Sequence, residues 1–388
     1  MSEAPAILIA PDSFKGSISA VRFCEIAERV FAEHLPGVEV ISRPMADGGE
    51  GTVEAVIRGA GGSLHTERVT GPLGEPVEAR WGLLPDRRTA VIEMAAASGL
   101  PLVPEGRKDP LRATSYGTGE LIRAALDAGA RRLIVGLGGS ATNDAGAGAL
   151  QALGLKLLDG SGAPLPPQAR SLLKVARIDA SELDPRLAET EVLLASDVTN
   201  VLLGPNGATA VYGPQKGVDA ELQPVLEEAL ARFARLTVAA TGTDHRETPG
   251  AGAAGGMGFG FLSWLGAELR SGFEVVADLV GLPEVFESGR LRLVVTGEGA
   301  INDQSAQGKL VGRIALLSWA HGVPVIALAG ALQPGYEGLY AQGVASMQSI
   351  VPRPMSLHEA MRDAGDLLAA RVRDLAHALQ ATAFGAWP

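Results

Sequence analysis

The stretch Ala6-Ile-Leu-Ile-Ala-Pro-Asp-Ser-Phe-Lys-Gly16 joins a short apolar run to a loop that carries an acid, a lysine and a glycine. Short apolar runs rich in β-branched residues are typical of buried parallel strands. In open α/β sheets, ligands bind beyond the carboxyl ends of such strands. This stretch therefore predicts an α/β fold with a binding loop directly after its first strand.

The same pattern, an apolar run that ends in a loop of glycines with acid or amide side chains, occurs four more times. These loops are Met45-Ala-Asp-Gly-Gly-Glu-Gly51, Gly136-Leu-Gly-Gly-Ser-Ala-Thr-Asn-Asp144, Ser196-Asp-Val-Thr-Asn200 and Thr296-Gly-Glu-Gly-Ala-Ile-Asn-Asp303. Glycine lets backbone amides approach a phosphate closely. Carboxylates at the same place suggest a bound cation, a proton acceptor, or both. Five such loops favour an enzyme that handles a polyanionic, metal-bearing ligand.

Composition excludes several other classes of protein. The chain has 388 residues and a net charge of −11, which argues against a nucleic-acid partner. Its single cysteine, Cys24, lies in an apolar helical pattern, so we expect a buried structural thiol and no disulfide. Six scattered histidines without paired spacing disfavour zinc catalysis. No uncharged run reaches the ~20 residues that a bilayer requires, so we expect no membrane association and a cytoplasmic protein.

The order of predicted elements indicates two unlike α/β domains. A βαβα pattern covers residues 6–59, with Ser19 as the N-cap of its first helix, and a meander of three strands follows at 64–94. Further strands are predicted at 132–136 and 191–195, and the βαβ pattern returns with a strand at 291–296. A discontinuous doubly wound parallel-sheet domain, Rossmann- or flavodoxin-like, would then enclose an inserted mixed α/β domain. The predicted ranges are 1–62 with 287–388 for the first domain and 63–286 for the second.

Two further segments carry predictions of their own. The glycine-dense segment Pro249–Gly260 lacks the serine and charge of a flexible linker, which favours close packing against a helix or a ligand. A long amphipathic helix is predicted over 356–380. Its apolar stripe serves either domain packing or a homodimer, and the sequence leaves both open.

Motifs of the common phosphate-binding and hydrolytic enzymes are absent from the sequence. It has no Walker-type loop, no protein-kinase signature, no strand-borne dinucleotide fingerprint and no serine-hydrolase elbow. The remaining pattern fits phosphoryl transfer, which requires positioning, cations on the phosphates and an acceptor for the proton of the attacking hydroxyl.

The first two loops offer cationic and acidic candidates. Lys15, beside Asp12 and Ser13, is placed to reach a phosphate or a substrate carboxylate; the alternative is an ordinary surface lysine. Asp47 and Glu50, separated by Gly48 and Gly49, suit a magnesium ion held through one carboxylate and waters. The alternative for these two acids is to cap the helix that starts at Thr52.

The third and fourth loops supply candidates for phosphate binding and for proton transfer. Gly138, Gly139, Ser140, Thr142 and Asn143 precede a helix predicted near Ala145, where free amides would bind an anion; N-capping by Asn143 or Asp144 is the alternative. Asp197 follows a strand, a good position for a general base, although a turn aspartate fits equally well. Lys216 is a second candidate for phosphate charge, with a solvated turn as the alternative.

Several of these segments resemble the bacterial type I glycerate kinases. The resemblance is carried by Ala10–Ser17, Pro44–Thr52, Gly138–Gly146, Gly204–Ala208 with Gly213–Gly217, and Thr296–Gly299. It implies ATP- and magnesium-dependent phosphorylation of D-glycerate, generally to 2-phosphoglycerate, and an active site in the cleft between two unlike α/β domains. In that scheme Asp197 accepts the hydroxyl proton, Asp47 and Glu298 surround the magnesium, and the loop from Gly138 to Asn143 binds phosphates.

The sequence departs from the family pattern in the last loop. The family has an arginine, an aliphatic residue and an aspartate where this chain has Ala300, Ile301 and Asn302; Val201 also replaces a usual proline. These departures keep alternatives open. They are phosphorylation at the 3-hydroxyl, a metal-dependent phosphatase, and a non-catalytic sensor of glycerate or nucleotide.

Overall fold

A computed structural model describes residues 5–381 of the chain. Its strands are β1 (Ala6–Ile9), β2 (Glu39–Ser42), β3 (Ser63–Thr70), β4 (Pro76–Leu83), β5 (Thr89–Glu93), β6 (Arg132–Gly136), β7 (Lys156–Leu158), β8 (Arg177–Asp179), β9 (Glu191–Ala195), β10 (Glu268–Arg270), β11 (Leu291–Ile301), β12 (Val325–Leu332) and β13 (Val344–Ser349).

The α-helices are interspersed with these strands. They are α1 (Ala20–His34), α2 (Thr52–Ala60), α3 (Met94–Ser98), α4 (Tyr116–Asp127), α5 (Ala147–Ala152), α6 (Ala208–Tyr212), α7 (Leu222–Thr241), α8 (Ala253–Leu265), α9 (Gly272–Leu279), α10 (Leu282–Glu287), α11 (Asp303–Ala306), α12 (Leu310–Ala320), α13 (Leu357–Arg362) and α14 (Ala364–Ala381). No helix within residues 5–381 combines the length and the apolar character that crossing a bilayer requires.

The described chain divides into two compact units. The first comprises residues 5–46, 54–60 and 276–381, and the second comprises residues 47–53 and 61–275. The mixture of helices and strands confirms the predicted α/β class. The domain boundaries at 62 and 287 stay a prediction.

The first unit contains a five-stranded, entirely parallel sheet in the order β13-β12-β11-β1-β2. Helix α1 begins where the sequence predicts, because the Ser19 hydroxyl accepts the amide of Arg22 at 3.1 Å as an N-cap. Its apolar face packs against α14 and the sheet, with Phe23 and Phe31 fully buried. Cys24 lies in the same core as a buried free thiol, as expected.

Two predictions for this unit were wrong in detail. The strand predicted at 291–296 continues to Ile301, because its pairing with β12 extends to Ile301 and Leu332. The helix predicted over 356–380 is two helices, α13 and α14. Asp363 separates them with non-helical torsion angles (φ −96°, ψ 7°), and the Arg362 guanidinium binds its carboxylate.

The second unit contains a six-stranded mixed sheet in the order β10-β9-β6-β5-β4-β3. The first four of these strands are parallel, and the predicted meander of β3, β4 and β5 is antiparallel. The strands predicted at 132–136 and 191–195 have those bounds in the structure. The carboxyl ends of β5, β6 and β9 therefore lie side by side at one edge of this sheet.

Candidate active site

The first unit brings together two of the five predicted loops. Strands β1 and β11 are parallel neighbours, with Ile9 opposite Val295. Directly after β1, the Asp12 amide donates to the carbonyl of Gly297 at 2.8 Å. Asp12 and Glu298 therefore lie at the same edge of this sheet.

The side chains of this pair of loops are held by local hydrogen bonds. One carboxylate oxygen of Asp12 accepts the amide of Ser13 at 2.7 Å, and Glu298 Oε1 accepts the Ser305 hydroxyl at 2.5 Å. Lys15 lies at the exposed tip of the loop. These loops therefore expose a lysine side chain and hold two carboxylates, Asp12 and Glu298, in fixed orientations.

The second unit brings the other three loops together. The amide of Gly138 donates to the carbonyl of Gly48 at 3.1 Å. A Cβ at Gly48 would lie 2.4 Å from the carbonyl oxygen of Ala195, and Gly48 has a φ of +90°, so this position requires glycine. Because Gly136 and Ala195 are opposite each other in β6 and β9, the part of this loop that belongs to the second unit, residues 47–51, packs onto the ends of both strands through Gly48.

The acidic candidates of this unit lie at its surface. Asp197 is exposed and follows the end of β9 by two residues, as Gly138 follows the end of β6. Asp47 and Glu50 are also exposed, and Asp47 Oδ1 accepts the amide of Gly49 at 3.2 Å. The loops of these three carboxylates and the glycine loop thus gather at the ends of β6 and β9.

One carboxylate of this group, Glu93, was missed by sequence reasoning. It ends β5 opposite Gly136, is 9% exposed, and accepts the amide of Val53 through Oε1 at 2.7 Å. Glu93 therefore binds an amide at the N-terminus of α2, where capping by Glu50 was the alternative prediction. The available signal was an acid at the end of an apolar strand, before a further apolar segment.

The loop at 138–144 has an exposed tip and a buried stem. Gly138 is half-buried and Gly139 is exposed, whereas every residue from Ser140 to Leu150 is buried. Asn143 donates through Nδ2 to the hydroxyl of Thr209 at 2.9 Å. The part of the loop that a ligand reaches directly is therefore the Gly138–Gly139 tip.

The helix after this loop is not an open anion site, which corrects the prediction of free amides near Ala145. Helix α5 begins at Ala147, and the Asp144 carboxylate accepts the amides of Gly146 and Gly148 at 3.1 and 3.3 Å. Asp144 also accepts the amide and hydroxyl of Ser115, at 2.9 and 2.8 Å. Its burial raises the pKa of the Asp144 carboxyl, which these hydrogen bonds oppose.

Lys216 belongs to another turn, but its side chain is buried against the loop at 138–144 and is not solvated. Its side chain is 2% exposed, and its Nζ donates to Ser140 Oγ at 2.9 Å and to the carbonyl of Thr142 at 2.7 Å. Burial lowers the pKa of Lys216 to about 7, although the Asp144 carboxylate acts in the opposite direction. A direct contact with a phosphate remains a prediction for this residue.

The glycine-dense segment at 249–260, here called the glycine clamp, packs against two site loops, which confirms the interpretation as close packing. The amide of Gly252 donates to the carbonyl of Asn200 at 2.9 Å, and the carbonyl of Gly255 accepts the amide of Ala145 at 3.0 Å. A Cβ at Gly255 would lie 2.0 Å from the carbonyl oxygen of Thr142. Residues 254–256 have left-handed φ values of 53°, 67° and 89° and break α8 near its start.

The predicted magnesium ligands do not form a recognisable cluster. Asp47 and Glu50 belong to the second unit, and Glu298 belongs to the first. Across residues 5–381, no three histidine, cysteine, aspartate or glutamate side chains are grouped to hold a metal ion. Mg²⁺ commonly uses one or two carboxylates together with water and substrate phosphates, so the exposed acids Asp47 and Glu50 suit it without a preformed cage.

Comparison with known proteins gives one consistent result. A model of the glycerate kinase family matches residues 7–380. A glycerate kinase of Bacillus subtilis (strain 168) is 46% identical over 374 residues, which cover 96% of this chain and 97% of that protein. The glycerate 2-kinase of Escherichia coli (strain K12) is 45% identical over 373 residues, with 96% and 97% covered.

The fold shows the same similarity. A crystal structure from Salmonella typhimurium LT2, named for glycerate kinase 2, superposes with a TM-score of 0.86 at 43% identity. The match covers 98% of this chain and 99% of that chain.

Proposed function

We propose, from the premise that this chain belongs to the glycerate kinase family, that it transfers the terminal phosphoryl group of ATP to the 2-hydroxyl of D-glycerate. Membership of this family identifies the chain as a phosphotransferase. The identity of the nucleotide and the choice of the acceptor hydroxyl are what we propose. The choice of the 2-hydroxyl is supported by the name of the Escherichia coli relative, glycerate 2-kinase.

The observation that carries the proposal is the meeting of three loops in the second unit. The hydrogen bond between Gly138 and Gly48 fixes the glycine tip beside the loop of Asp47, and β9 presents Asp197 from the neighbouring strand end. Phosphoryl transfer requires amides or cations on the phosphates and an acceptor for the hydroxyl proton. This group of loops contains both kinds of residue.

We assign the roles as follows. The Gly138–Gly139 tip binds the transferring phosphoryl group through the exposed amide of Gly139, because the Gly138 amide already donates to the carbonyl of Gly48. Glycine lets the backbone approach a phosphate closely. Asp197 accepts the hydroxyl proton, because it is exposed at a strand end. Lys15, exposed on its own loop, orients the substrate carboxylate by a charge-assisted hydrogen bond.

Magnesium fits the exposed oxygen donors of Asp47 and Glu50, and we propose that these two residues hold it together with the phosphates. For Glu298, which is half-buried in the first unit, a role in magnesium binding stays a prediction. When bound, the ion neutralises the charge on the phosphates. Asp12 and Ser13 complete the loop of Lys15, where the Asp12 carboxylate fixes the turn by accepting the Ser13 amide. A cytoplasmic location and a homodimer stay predictions.

The test is an assay of ADP formation with D-glycerate, ATP and magnesium, followed by phosphorus NMR of the product. We expect ATP consumption that depends on glycerate and a product phosphorylated at C2. A signal for the 3-phosphate would refute the choice of hydroxyl. Release of phosphate from phosphoglycerate without nucleotide would favour the phosphatase, and tight binding without turnover would favour the sensor.

A further inference from the structure

Lys216 has the environment of a core residue. It ends the 3-10 turn Pro214–Lys216, and the next residue, Gly217, has a φ of +96° that reverses the chain. The lysine side chain is 2% exposed and is among the largest fully buried side chains of the described chain. Lysine is rarely buried to this degree unless its ammonium group is bound.

Both hydrogen bonds of the Lys216 side-chain amine reach one loop. Nζ donates to Ser140 Oγ at 2.9 Å and to the carbonyl of Thr142 at 2.7 Å. The carboxylate of Asp144, two residues further, attracts the ammonium. The amine therefore bridges alternate residues of the stem that begins directly after the Gly138–Gly139 tip.

An apolar side chain of similar length would fill this space without the cost of burying an amine. It would leave the carbonyl of Thr142 and the Ser140 hydroxyl without this donor, and buried groups that lose a hydrogen-bond partner are costly. What lysine contributes, and an apolar side chain would not, is the pair of hydrogen bonds that fix the geometry of residues 140–142. The glycine clamp holds the same stem from another side, through Gly255 and Ala145.

We propose that Lys216 is a positioning residue, whose buried amine fixes Ser140 and Thr142 so that the Gly138–Gly139 tip is held ready for the phosphates. This role requires the contacts of the amine with the loop and no contact with the ligand. The identity of the ligand in this inference rests on the proposed function. The geometry of the loop does not depend on it.

The experiment compares Lys216→Met with Lys174→Met, which makes the same replacement at an exposed lysine of the same unit. Amide hydrogen exchange is measured over residues 138–146, and steady-state kinetics with ATP and D-glycerate are measured in parallel. We expect faster exchange over 138–142 in Lys216→Met alone. We also expect about a ten- to hundredfold loss in kcat/KM, the size of one charge-assisted hydrogen bond.

A double-mutant cycle separates positioning from general stability. If Lys216 acts through Ser140, the kinetic effects of Lys216→Met and Ser140→Ala will be less than additive in the double variant. Additive effects, or unchanged exchange over 138–142, would overturn the inference. Should Lys216→Met fail to fold, Ser140→Ala, which keeps the lysine and removes one partner, must still accelerate exchange at this stem, or the inference fails.

The two proposals fail in different ways. Absence of glycerate-dependent ATP consumption in the unaltered protein would overturn the proposed function alone. The exchange measurement needs no substrate, so it decides the positioning role in either case.

Discussion

The carbonyl of Gly48 accepts the amide of Gly138 at 3.1 Å, and this hydrogen bond joins the acidic loop to the glycine loop. Each partner sits where a side chain would collide: a Cβ at Gly138 would lie 2.5 Å from the Cα of Gly49. The contact of two backbones, without intervening side chains, therefore sets the separation between the proposed metal-binding carboxylates and the phosphate-binding tip.

Gly48→Ala will disrupt this contact. The new Cβ lies 2.4 Å from the carbonyl oxygen of Ala195, in addition to the strain of a φ of +90°. Gly129→Ala is the matched control, because Gly129 has a φ of +96° and nothing within 4 Å. We expect about 1–2 kcal/mol of destabilisation for the control and about 1–3 kcal/mol more for Gly48→Ala. Denaturant unfolding measures both, and equal losses would contradict the contact.

Asp197→Asn will abolish most turnover while leaving the fold intact. Loss of a general base typically reduces kcat by about 10²–10⁴, and an exposed side chain contributes little to stability. Asp374→Asn, at a 70% exposed position, is the control. Near-normal kcat in Asp197→Asn would refute the assignment of this residue as the base.

Glu93→Ala will loosen the start of α2. Its loss leaves the amide of Val53 without this acceptor, which we expect to cost about 1–3 kcal/mol in the free energy of unfolding. Glu78→Ala, at an exposed position of β4, should change stability by less than about 0.5 kcal/mol. Thermal unfolding of both variants checks the difference, and similar values would show that this cap is unimportant.

The stability of the protein will depend on pH through Lys216. The pKa of this amine is about 7 in the folded chain against 10.5 ordinarily, because of burial, with Asp144 as the facing charge. Between these values the unfolded chain binds the extra proton, so this group makes the free energy of unfolding rise with pH, by at most about 1.4 kcal/mol per unit. Below about pH 7 its unfavourable contribution is constant.

Denaturant titrations between pH 7 and 9 measure this dependence. Lys216→Met removes the titrating group, so its stability should rise less steeply with pH than that of the unaltered protein. Identical slopes would show that Lys216 keeps an ordinary pKa.

Asn302, where the family has aspartate, has a structural role that aspartate also performs. Its side-chain oxygen accepts the amide of Gln304 at 3.0 Å and caps α11 in a capping box with Ser305. Asn302→Asp should therefore leave the free energy of unfolding within about 0.5 kcal/mol, whereas Asn302→Ala should lower it by about 1 kcal/mol. A large loss in Asn302→Asp would contradict this account.

The chemistry of the departures is tested separately. The double replacement of Ala300→Arg with Asn302→Asp restores both charged groups of the family pattern. A gain in glycerate-dependent turnover would show that these departures reduce activity, and no gain would show that they are harmless.

The sequence predicted what local patterns determine. The strands at 132–136 and 191–195 and the N-cap at Ser19 were found because short β-branched runs and a serine before an apolar helix are local signals. The full length of β11 was missed, because its glycines read as a loop until the pairing partner β12 is known.

The exposed loops of the candidate site could be predicted from the sequence, whereas the buried contacts that hold these loops in place could not. Loops with acids and glycines were recognisable from composition and position. The burial of Lys216 and the contact from Glu93 to Val53 depend on residues 74 to 76 and 40 positions apart in sequence, and no local pattern encodes such contacts. The sequence around Lys216 is typical of a turn, because two glycines and a proline lie within Gly213–Gly217.

The glycine clamp has a consequence for how variants of this protein should be sought. It carries no acid, base or nucleophile, yet it touches the strand-end loops of Asn200 and of Thr142 at once. A screen restricted to reactive side chains would pass over it. A library that adds single methyl groups along 249–260 would change the spacing of the two loops together without changing any reactive side chain. It would therefore show how the activity depends on the geometry of the loops.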